Sequence, residues 1–360
     1  MRVAAQRLTR DNARGRRPAT ILREVVGLQA QVLSAAALGM RVRSTGLRER
    51  DVKRALTDER SIVQTWLMRG TLHVVAAEDL RWLLALLGPV FARAGATRHA
   101  QLGLDDDLKI KGVAALRRIL ENTGPLTRYD LVDRLRAQGI ALDPKTQAGI
   151  HLIALAAMQG VLCLGPERDH GESTYVLLDD WVPATQTPSR ETALAEFASR
   201  YFAGYGPATV EDLSAWAGIP TAEARSAVAG ARAGLTDVTI QGKPGFVIKN
   251  RLERVTSSST QQVRLLPAFD AYLLGYRRRD LAVPPELQRR LQRGGGWLHP
   301  AVVVNGRVVA AWSLRKSGAR GHLQVEPTEP IARSVRAGIE AEVADIGRFL
   351  ELDVSPGIAR

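Results

Sequence analysis

Apolar side chains recur at helical spacing along much of the chain, and the runs between them are β-rich or polar. In the first hundred residues this spacing predicts three helices, over residues 18–28, 48–58 and 77–87. Pro18 suits the first turn of the first helix, and Gly88-Pro89 is expected to stop the third. Between the second and third helices, two β-rich runs flank Arg69-Gly70 and predict a hairpin, with strands over 61–68 and 71–75.

The same order, helices followed by a pair of strands, recurs twice more. The first recurrence predicts helices over 105–123, 126–138 and 146–159 and strands over 161–164 and 174–178. The second predicts helices over 190–202, from Thr209 to the turn at Gly218, and over 221–229, then strands over 235–241 and 246–249. Thr127 with Asp130, and Thr209 with Asp212, have the spacing of capping boxes. The Gly-Pro steps at Gly124 and Gly206 mark a weak repeat of roughly eighty residues, which is typical of tandem modules.

The last hundred residues change to strand-rich patterning. Residues 301–312 predict a hairpin, because Asn305-Gly306 can supply the two positive φ values of a type I′ turn. A loop over 315–321 with a basic tip is expected to join it to a strand at 322–325. A final helix over 330–350 carries a packing face at helical spacing, formed by Val335, Ile339, Val343 and Ile346.

These elements predict an α+β fold with about three tandem winged-helix modules and a β-rich carboxy-terminal part. The expected boundaries are 1–104, 105–188, 189–260 and 261–360. Helices followed by a basic hairpin favour a nucleic-acid-binding protein.

The composition indicates that the protein binds a polyanion. The net charge is +13, the pI is near 10.5, and most of the 50 basic residues are Arg, whose forked donors suit phosphate. A codon bias toward Arg and Ala is the alternative explanation. The amino-terminal stretch 2–23 is also Arg-rich, which indicates a phosphate-facing helix or basic arm, although a transit peptide would share the feature.

Several classes of site and location are disfavoured. Cys163 is the only cysteine, and the six His contain no H-x-x-x-H pair, so neither a disulfide nor a metal site is expected. No apolar run approaches the ~18 residues that a membrane span needs, and a cytoplasmic protein is therefore expected. No phosphate-binding loop, dinucleotide fingerprint or serine-nucleophile motif stands out, and no cofactor is expected.

The most unusual stretch is Val26-Gly-Leu-Gln-Ala-Gln-Val-Leu-Ser34, which places two amides two residues apart. Side chains at i and i+2 point to different sides of a helix but to the same side of an extended segment. If Ser34 caps a helix over 35–43, Gln29 and Gln31 lie in the break before it and face one cleft. The alternative is that both are ordinary solvated residues at a helix end.

Four motifs, in this order, resemble those of the AlkZ-like winged-helix DNA glycosylases. They are Gly27-Leu-Gln-Ala-Gln31, Arg69-Gly-Thr-Leu-His73, Leu265-Leu-Pro-Ala-Phe-Asp270 with Tyr276-Arg-Arg-Arg-Asp280, and Asn305-Gly-Arg-Val-Val-Ala-Ala-Trp312. The resemblance covers nearly the whole chain. It implies tandem winged helices and a β-rich part around a basic concave channel, acting on double-stranded DNA with bulky alkylated purines and, in some members, on interstrand crosslinks.

In that family the catalytic pair is Gln-x-Gln or Gln-x-Asp, and the resemblance implies that Gln29 and Gln31 form it. Ala30 is smaller than the aliphatic residue expected between them. Two amides suffice chemically, because an N7-alkylated purine is already cationic and leaves readily through an oxocarbenium-like transition state. A Gln carbonyl can hold the attacking water, and no Lys stands beside the pair to form a Schiff base, so a monofunctional hydrolase is expected. The protein is also expected to be a monomer.

The predicted DNA contacts are basic. They are Arg69 and His73 near the catalytic module, the run Arg277, Arg278 and Arg279, and the loop residues Arg315, Lys316 and Arg320. The competing hypothesis is a non-enzymatic winged-helix regulator, for which Gln29 and Gln31 would be incidental. A solvated turn is the alternative for the basic loop.

Overall fold

Helices and strands are mixed along the chain in an α+β arrangement. The computed structural model describes residues 1–9, 15–168, 171–249, 261–292 and 294–358. Contacts divide the chain into two units: a first unit made of Met1–Lys53 and Leu194–Arg360, and a second unit made of Arg54–Ala193. The four predicted modules, with boundaries after residues 104, 188 and 260, stay a prediction beside this division.

The first unit opens with short helices and one very short strand. In chain order these are α1 (Arg2–Ala5), α2 (Pro18–Val25), β1 (Leu28–Gln29), α3 (Leu33–Arg41) and α4 (Glu49–Thr57), which continues into the second unit. Pro18 occupies the first turn of α2, as predicted, and its ring pre-sets the backbone for a helix. The helix ends three residues earlier than predicted, because Val26 and Gly27 take left-handed φ values of 54° and 90°.

The second unit begins with the predicted hairpin. Strands β2 (Ile62–Trp66) and β3 (Leu72–Ala76) pair antiparallel, with Thr65 opposite His73. The elements that follow are α5 (Ala77–Ala94), α6 (Ala96–Gln101), α7 (Asp106–Thr123), β4 (Leu126–Thr127), α8 (Arg128–Ala137), α9 (Ala148–Met158), β5 (Leu162–Leu164), β6 (Thr174–Leu177) and α10 (Leu178–Trp181). Strands β4, β6 and β5 form a sheet in that order. The core of this part contains fully buried leucines from α7, α8 and α9, including Leu116, Leu131 and Leu152.

Helix α5 corrects one prediction, because Gly88-Pro89 does not stop it. Pro89 removes one backbone donor, yet the helix continues to Ala94. Leu86, Leu87 and Phe91 are buried around the proline, and a Cβ atom at Gly88 would lie only 2.1 Å from the Met158 carbonyl oxygen. Tertiary packing therefore outweighs the local signal for a helix end.

The chain then returns to the first unit through α11 (Arg190–Tyr205). Next come α12 (Val210–Ala217), α13 (Thr221–Ala231), β7 (Leu235–Ile240) and β8 (Lys243–Ile248), the last two forming a hairpin. Both predicted capping boxes are confirmed, Thr127 with Asp130 on α8 and Thr209 with Asp212 on α12.

The carboxy-terminal part is built on a five-stranded sheet. Its elements are β9 (Val263–Leu266), α14 (Ala271–Leu274), α15 (Pro285–Leu291), β10 (Ala301–Val304), β11 (Arg307–Ser317), β12 (Arg320–Pro327), α16 (Arg333–Leu350) and β13 (Asp353–Ile358). The strand order is β13-β12-β11-β10-β9, and β12 and β13 run parallel. Asn305 and Gly306 have φ values of 50° and 89°, which confirms the positive φ values predicted for this turn. The predicted apolar face of α16 is buried.

The predicted basic loop over 315–321 is mostly strand. Arg315 and Lys316 lie in β11 and Arg320 lies in β12, with Ser317 paired to Arg320 across a turn of two residues. Backbone pairing thus extends to the tip and gives the hairpin a more rigid frame than a loop would have. Among the described helices, none is both long and apolar enough to span a bilayer.

Candidate functional site

The two amides lie in the irregular segment between α2 and α3. Gln29 ends the short strand β1, and Gln31 lies in a bend before α3 begins at Leu33. The predicted non-helical setting is confirmed. The predicted cap is wrong: Val32 is the N-cap residue of α3, and Ser34 is an exposed residue inside the first turn.

Burial alternates along this segment. Leu28 and Ala30 are 2% and 1% exposed, whereas Gln29 is half-buried and Gln31 is exposed. In an extended chain, alternate residues point to opposite sides, so both amides leave the side that Leu28 and Ala30 pack into the core. The small Ala30 is buried between them. The shared cleft of the two amides stays a prediction.

Helix α11 supports the backbone just ahead of the pair. The hydroxyl of Tyr205 is buried and donates a 2.8 Å hydrogen bond to the carbonyl oxygen of Val25, the last residue of α2. A Cβ atom at Gly204 would lie 2.6 Å from the Glu24 carbonyl oxygen, so only glycine permits this approach of the two helices. These contacts with α11 hold the backbone of Glu24 and Val25, directly before the left-handed turn at Val26.

A buried ion pair anchors the segment after α3. Arg43 donates to both carboxylate oxygens of Asp270, at 2.8 and 2.9 Å, and both side chains are 0% exposed. Arg43 also donates to the Gln6 side-chain oxygen at 2.8 Å. Burial alone would lower the pKa of Arg43, but the Asp270 carboxylate and its hydrogen bonds raise it, so the guanidinium stays charged. Asp270 belongs to one of the motifs that resemble the family, but no local pattern pairs it with Arg43.

A second buried network holds the last turn of α3. Arg41 donates to Glu342 of α16 at 3.2 Å and to the Leu265 carbonyl oxygen at 3.0 Å. The other oxygen of the Glu342 carboxylate accepts from Arg264 at 3.2 Å. These contacts tie α3 to β9 and α16, and neither periodicity nor the recognised motifs signalled them.

The three consecutive arginines after α14 differ in how exposed they are. Arg277 and Arg278 are exposed, and Arg278 forms an ion pair of 2.7 Å with Asp280. Arg279 instead turns inward, donating to the Leu273 carbonyl oxygen at 2.6 Å, and burial lowers its pKa. Arg277 and Arg278 also line a groove of about 800 Å³, whose other charged residues are Arg2, Lys243, Glu211, Asp212 and Asp280. Two of the three predicted side chains are therefore available to a polyanion.

The predicted hairpin residues are all exposed. Cross-strand pairing sets Arg315 opposite His322 and Lys316 opposite Gly321. Since successive strand residues alternate, Arg315 and Arg320 share one face of the hairpin, and Lys316 shares the other with Leu314. The three cations thus surround the tip rather than forming one flat patch.

Arg69 and His73 lie on the β2-β3 hairpin of the second unit. Arg69 is half-buried, has a left-handed φ of 58°, and lines a cavity of about 310 Å³ with His99 and His151. His73 is only 2% exposed, and its Nδ1 lies 3.0 Å from the Thr71 carbonyl oxygen. The ring of His73 is therefore packed inside the protein, and its contact with DNA stays a prediction.

His73 is expected to stay neutral at ordinary pH, since burial and then the charge of Arg69 lower its pKa from 6.5 to about 3. The unfolded chain binds this proton at higher pH, so the free energy of unfolding should fall as the pH drops from about 6.5 toward 3. Between pH 7 and pH 5 this group alone accounts for about 2 kcal/mol. Urea unfolding of the wild type and His73→Gln at both pH values isolates the effect. An imidazole that titrates near pH 6.5 by NMR contradicts it.

The part of the chain that the structure describes gives little support to a metal site or to a cysteine nucleophile. No group of three His, Cys, Asp or Glu side chains there is arranged to hold a metal ion. Cys163 is buried in β5, which raises the pKa of its thiol to about 12 and leaves it unsuited to nucleophilic attack.

Comparison with known proteins gives a consistent result over the whole chain. A family model described as DNA glycosylase AlkZ-like matches residues 22–349. A Streptomyces sahachiroi protein named interstrand DNA cross-link repair glycosylase is 29% identical over 350 residues, covering 91% of this chain and 89% of its own length. The solved structure of Streptomyces sahachiroi DNA glycosylase AlkZ has a TM-score of 0.82 at 25% identity and covers 99% of this chain and 97% of that one. Every predicted site residue lies within the range that the family model matches.

Proposed function

The chain belongs to the AlkZ-like DNA glycosylase family, and on that premise we propose that it is a monofunctional DNA glycosylase that hydrolyses the N-glycosidic bond of bulky N7-alkylated purines. One observation carries the proposal: Gln29 and Gln31 leave a non-helical segment on the side away from the core, and that segment is braced by Tyr205 and by α3. The name of the relative from Streptomyces sahachiroi supports interstrand crosslinks as a second class of lesion.

The proposed chemistry needs positioning more than acid catalysis. An N7-alkylated purine is a cationic leaving group, so the glycosidic bond breaks with little protonation and the sugar becomes oxocarbenium-like. The carbonyl oxygens of Gln29 and Gln31 can orient the attacking water, and their NH₂ groups can fix those oxygens. Attack by water on such a sugar needs neither a metal nor a cofactor. Unmodified purines leave poorly and would be spared.

Incubation with duplexes that carry N7-alkylguanine adducts of graded bulk tests the proposal directly. Abasic sites should accumulate with the alkylated duplexes and not with unmodified DNA. A parallel binding screen with unmodified DNA tests the competing regulator. If no abasic sites form while one unmodified sequence binds tightly, the regulator hypothesis is favoured.

We also propose tandem winged-helix modules around a basic channel as the DNA-binding framework. The element orders support this arrangement, because helices followed by paired strands occur at α7–β6 and again at α11–β8. The net charge of +13 supports a polyanionic partner. Exposed candidates for phosphate contact are Arg277 and Arg278, and Arg69 is a half-buried one.

The β11-β12 hairpin is the proposed element that enters a groove beside the lesion. Charge reversal of Arg315, Lys316 and Arg320 should weaken DNA binding and flatten its dependence on salt, since each lost phosphate contact lowers the slope of log K against log[salt] by about 0.9. Fluorescence anisotropy at 50 to 200 mM salt measures both quantities, and thermal unfolding checks that the fold is retained.

The matched control reverses three exposed cations of α7 and α8, namely Lys111, Arg118 and Arg136. It changes the net charge by the same amount but leaves the hairpin intact, so its salt slope should fall less than that of the hairpin variant. Equal losses in both variants would mean that overall charge, not the hairpin, governs binding.

A further inference from the structure

Trp297 is unusual among the tryptophans because 43% of its surface is exposed. Trp82, Trp181, Trp216 and Trp312 are all buried, at 3% to 9% exposure. Exposing a large aromatic ring costs stability, so an exposed ring in a fixed place suggests a contact surface. Among the residues that the structure describes, the other exposed large apolar side chains are Met1, Ile110, Tyr129 and Leu281.

The ring is carried on a turn of glycines. Gly294, Gly295 and Gly296 have φ values of 93°, 59° and 72°, which other L-residues rarely adopt. No atom lies within 4 Å of the position that a Cβ would take at any of the three. The three glycines are exposed and lie beside open space, and Trp297 follows them directly.

The base of the turn is fixed. The Phe269 amide donates to the Leu298 carbonyl oxygen at 3.2 Å, and the His299 amide donates to the Leu291 carbonyl oxygen at 2.9 Å. Phe269 itself has a left-handed φ of 58°, although it is not glycine and is 4% exposed. Its ring meets Trp297 edge to face at 4.9 Å. A strained residue that holds an exposed ring is the kind of outlier that clusters at functional sites.

The surroundings are basic. Arg289 and Arg290 are exposed on α15, directly before the turn. Arg277 and Arg278 line a cavity of about 190 Å³ to which Leu298, the neighbour of Trp297, also contributes. Asp280 lines the same cavity and pairs with Arg278, so the balance of charge beside the turn stays positive. An aromatic ring among exposed arginines is the arrangement that binds unstacked nucleobases along a phosphate backbone.

We propose that Trp297 stacks on a nucleobase that has left the duplex beside the lesion, while the neighbouring arginines hold its phosphates. The proposal rests on the proposed function for its DNA substrate and adds a specific contact to it. Stacking tolerates any base, because every base presents a π face, and it would favour DNA in which a lesion has already weakened pairing.

The probes are a matched duplex and the same duplex with one unpaired 2-aminopurine, read by anisotropy and by 2-aminopurine fluorescence. The wild type should prefer the interrupted duplex and quench its fluorescence. Trp297→Ala should lose about 5- to 150-fold in affinity for the interrupted duplex, the range typical of one base on one aromatic ring, and less than about 2-fold for the matched duplex. The quenching should disappear with it.

Two further variants distinguish stacking of Trp297 on a base from its packing against the ring of Phe269. Trp297→Phe keeps an aromatic plane and should retain most of the preference, whereas Trp297→Leu covers Phe269 but cannot stack and should behave like Trp297→Ala. If Trp297→Leu retains both the preference and the quenching, or if the wild type shows neither, the proposal is overturned. Ile110→Ala, which removes another exposed apolar side chain, should leave both readouts unchanged.

The outcomes for stacking and for glycosylase activity are distinguishable. The wild type could release no base from N7-alkylguanine DNA and still show the Trp297-dependent preference. That result contradicts the proposed glycosylase activity but not the stacking contact. Normal base release without that preference contradicts the stacking contact but not the glycosylase activity.

Discussion

Gln29→Ala and Gln31→Ala are each expected to lower single-turnover base excision on the order of 100-fold, while DNA affinity changes little. The reason is positional: loss of one amide leaves the attacking water with fewer fixed partners, and misplacing a reactant costs about that much in rate. Gln29 is half-buried and Gln31 is exposed, so neither truncation opens a core cavity. Release of an N7-alkylguanine under enzyme excess measures the rate, and anisotropy measures the affinity.

Three variants sharpen this test. Gln31→Glu keeps the shape and the oxygen acceptor but replaces the NH₂ donors with a second, negatively charged oxygen. It should retain more activity than Gln31→Ala if the amide acts mainly by holding water. Gln101→Ala alters an exposed glutamine of α6 and should excise at the wild-type rate. Unchanged excision by the Gln29→Ala/Gln31→Ala double variant would rule out a catalytic role for the pair and mean that other residues carry out the hydrolysis.

Local chemistry made much of the fold predictable. The capping boxes at Thr127 and Thr209 and the positive φ values at Asn305-Gly306 follow from side chains within a few residues of one another, so the sequence alone could locate them. The non-helical setting of Gln29 followed from spacing in the same way. The continuation of α5 past Gly88-Pro89 was not predicted. Gly88 packs closely against Met158, which is seventy residues away in sequence, and such a contact leaves no local pattern.

The candidate site was predictable only in part, for the same reason. Exposure of Arg315 and Arg320 is a local property of a polar hairpin tip, and it was expected. The burial of His73 depends on what packs over its strand, which the β-rich pattern does not encode. Arg43 and Asp270 are 227 positions apart, and nothing near Arg43 distinguishes it from the many arginines on the surface.

Asp270→Ala is expected to lower the free energy of unfolding by about 3–5 kcal/mol, the largest stability effect predicted for a single substitution here. Removing one partner leaves the Arg43 guanidinium charged and buried, without the carboxylate that compensates its lost hydration. The change also removes the hydrogen bond that the Tyr272 amide donates to the Asp270 carboxylate at the start of α14. Urea unfolding followed by circular dichroism measures the loss.

Two further variants serve as comparisons: one replaces both partners of the buried ion pair, and the other breaks an exposed ion pair. Arg43→Met with Asp270→Leu replaces the pair by apolar groups of similar length and should recover much of the stability that Asp270→Ala loses, because no charge is then left buried. Asp280→Ala breaks an exposed ion pair of the same residue types with Arg278 and should cost no more than about 1 kcal/mol. If Asp270→Ala proves as mild as Asp280→Ala, Arg43 reaches water or another acid in solution, and the ion pair does not anchor the segment after α3.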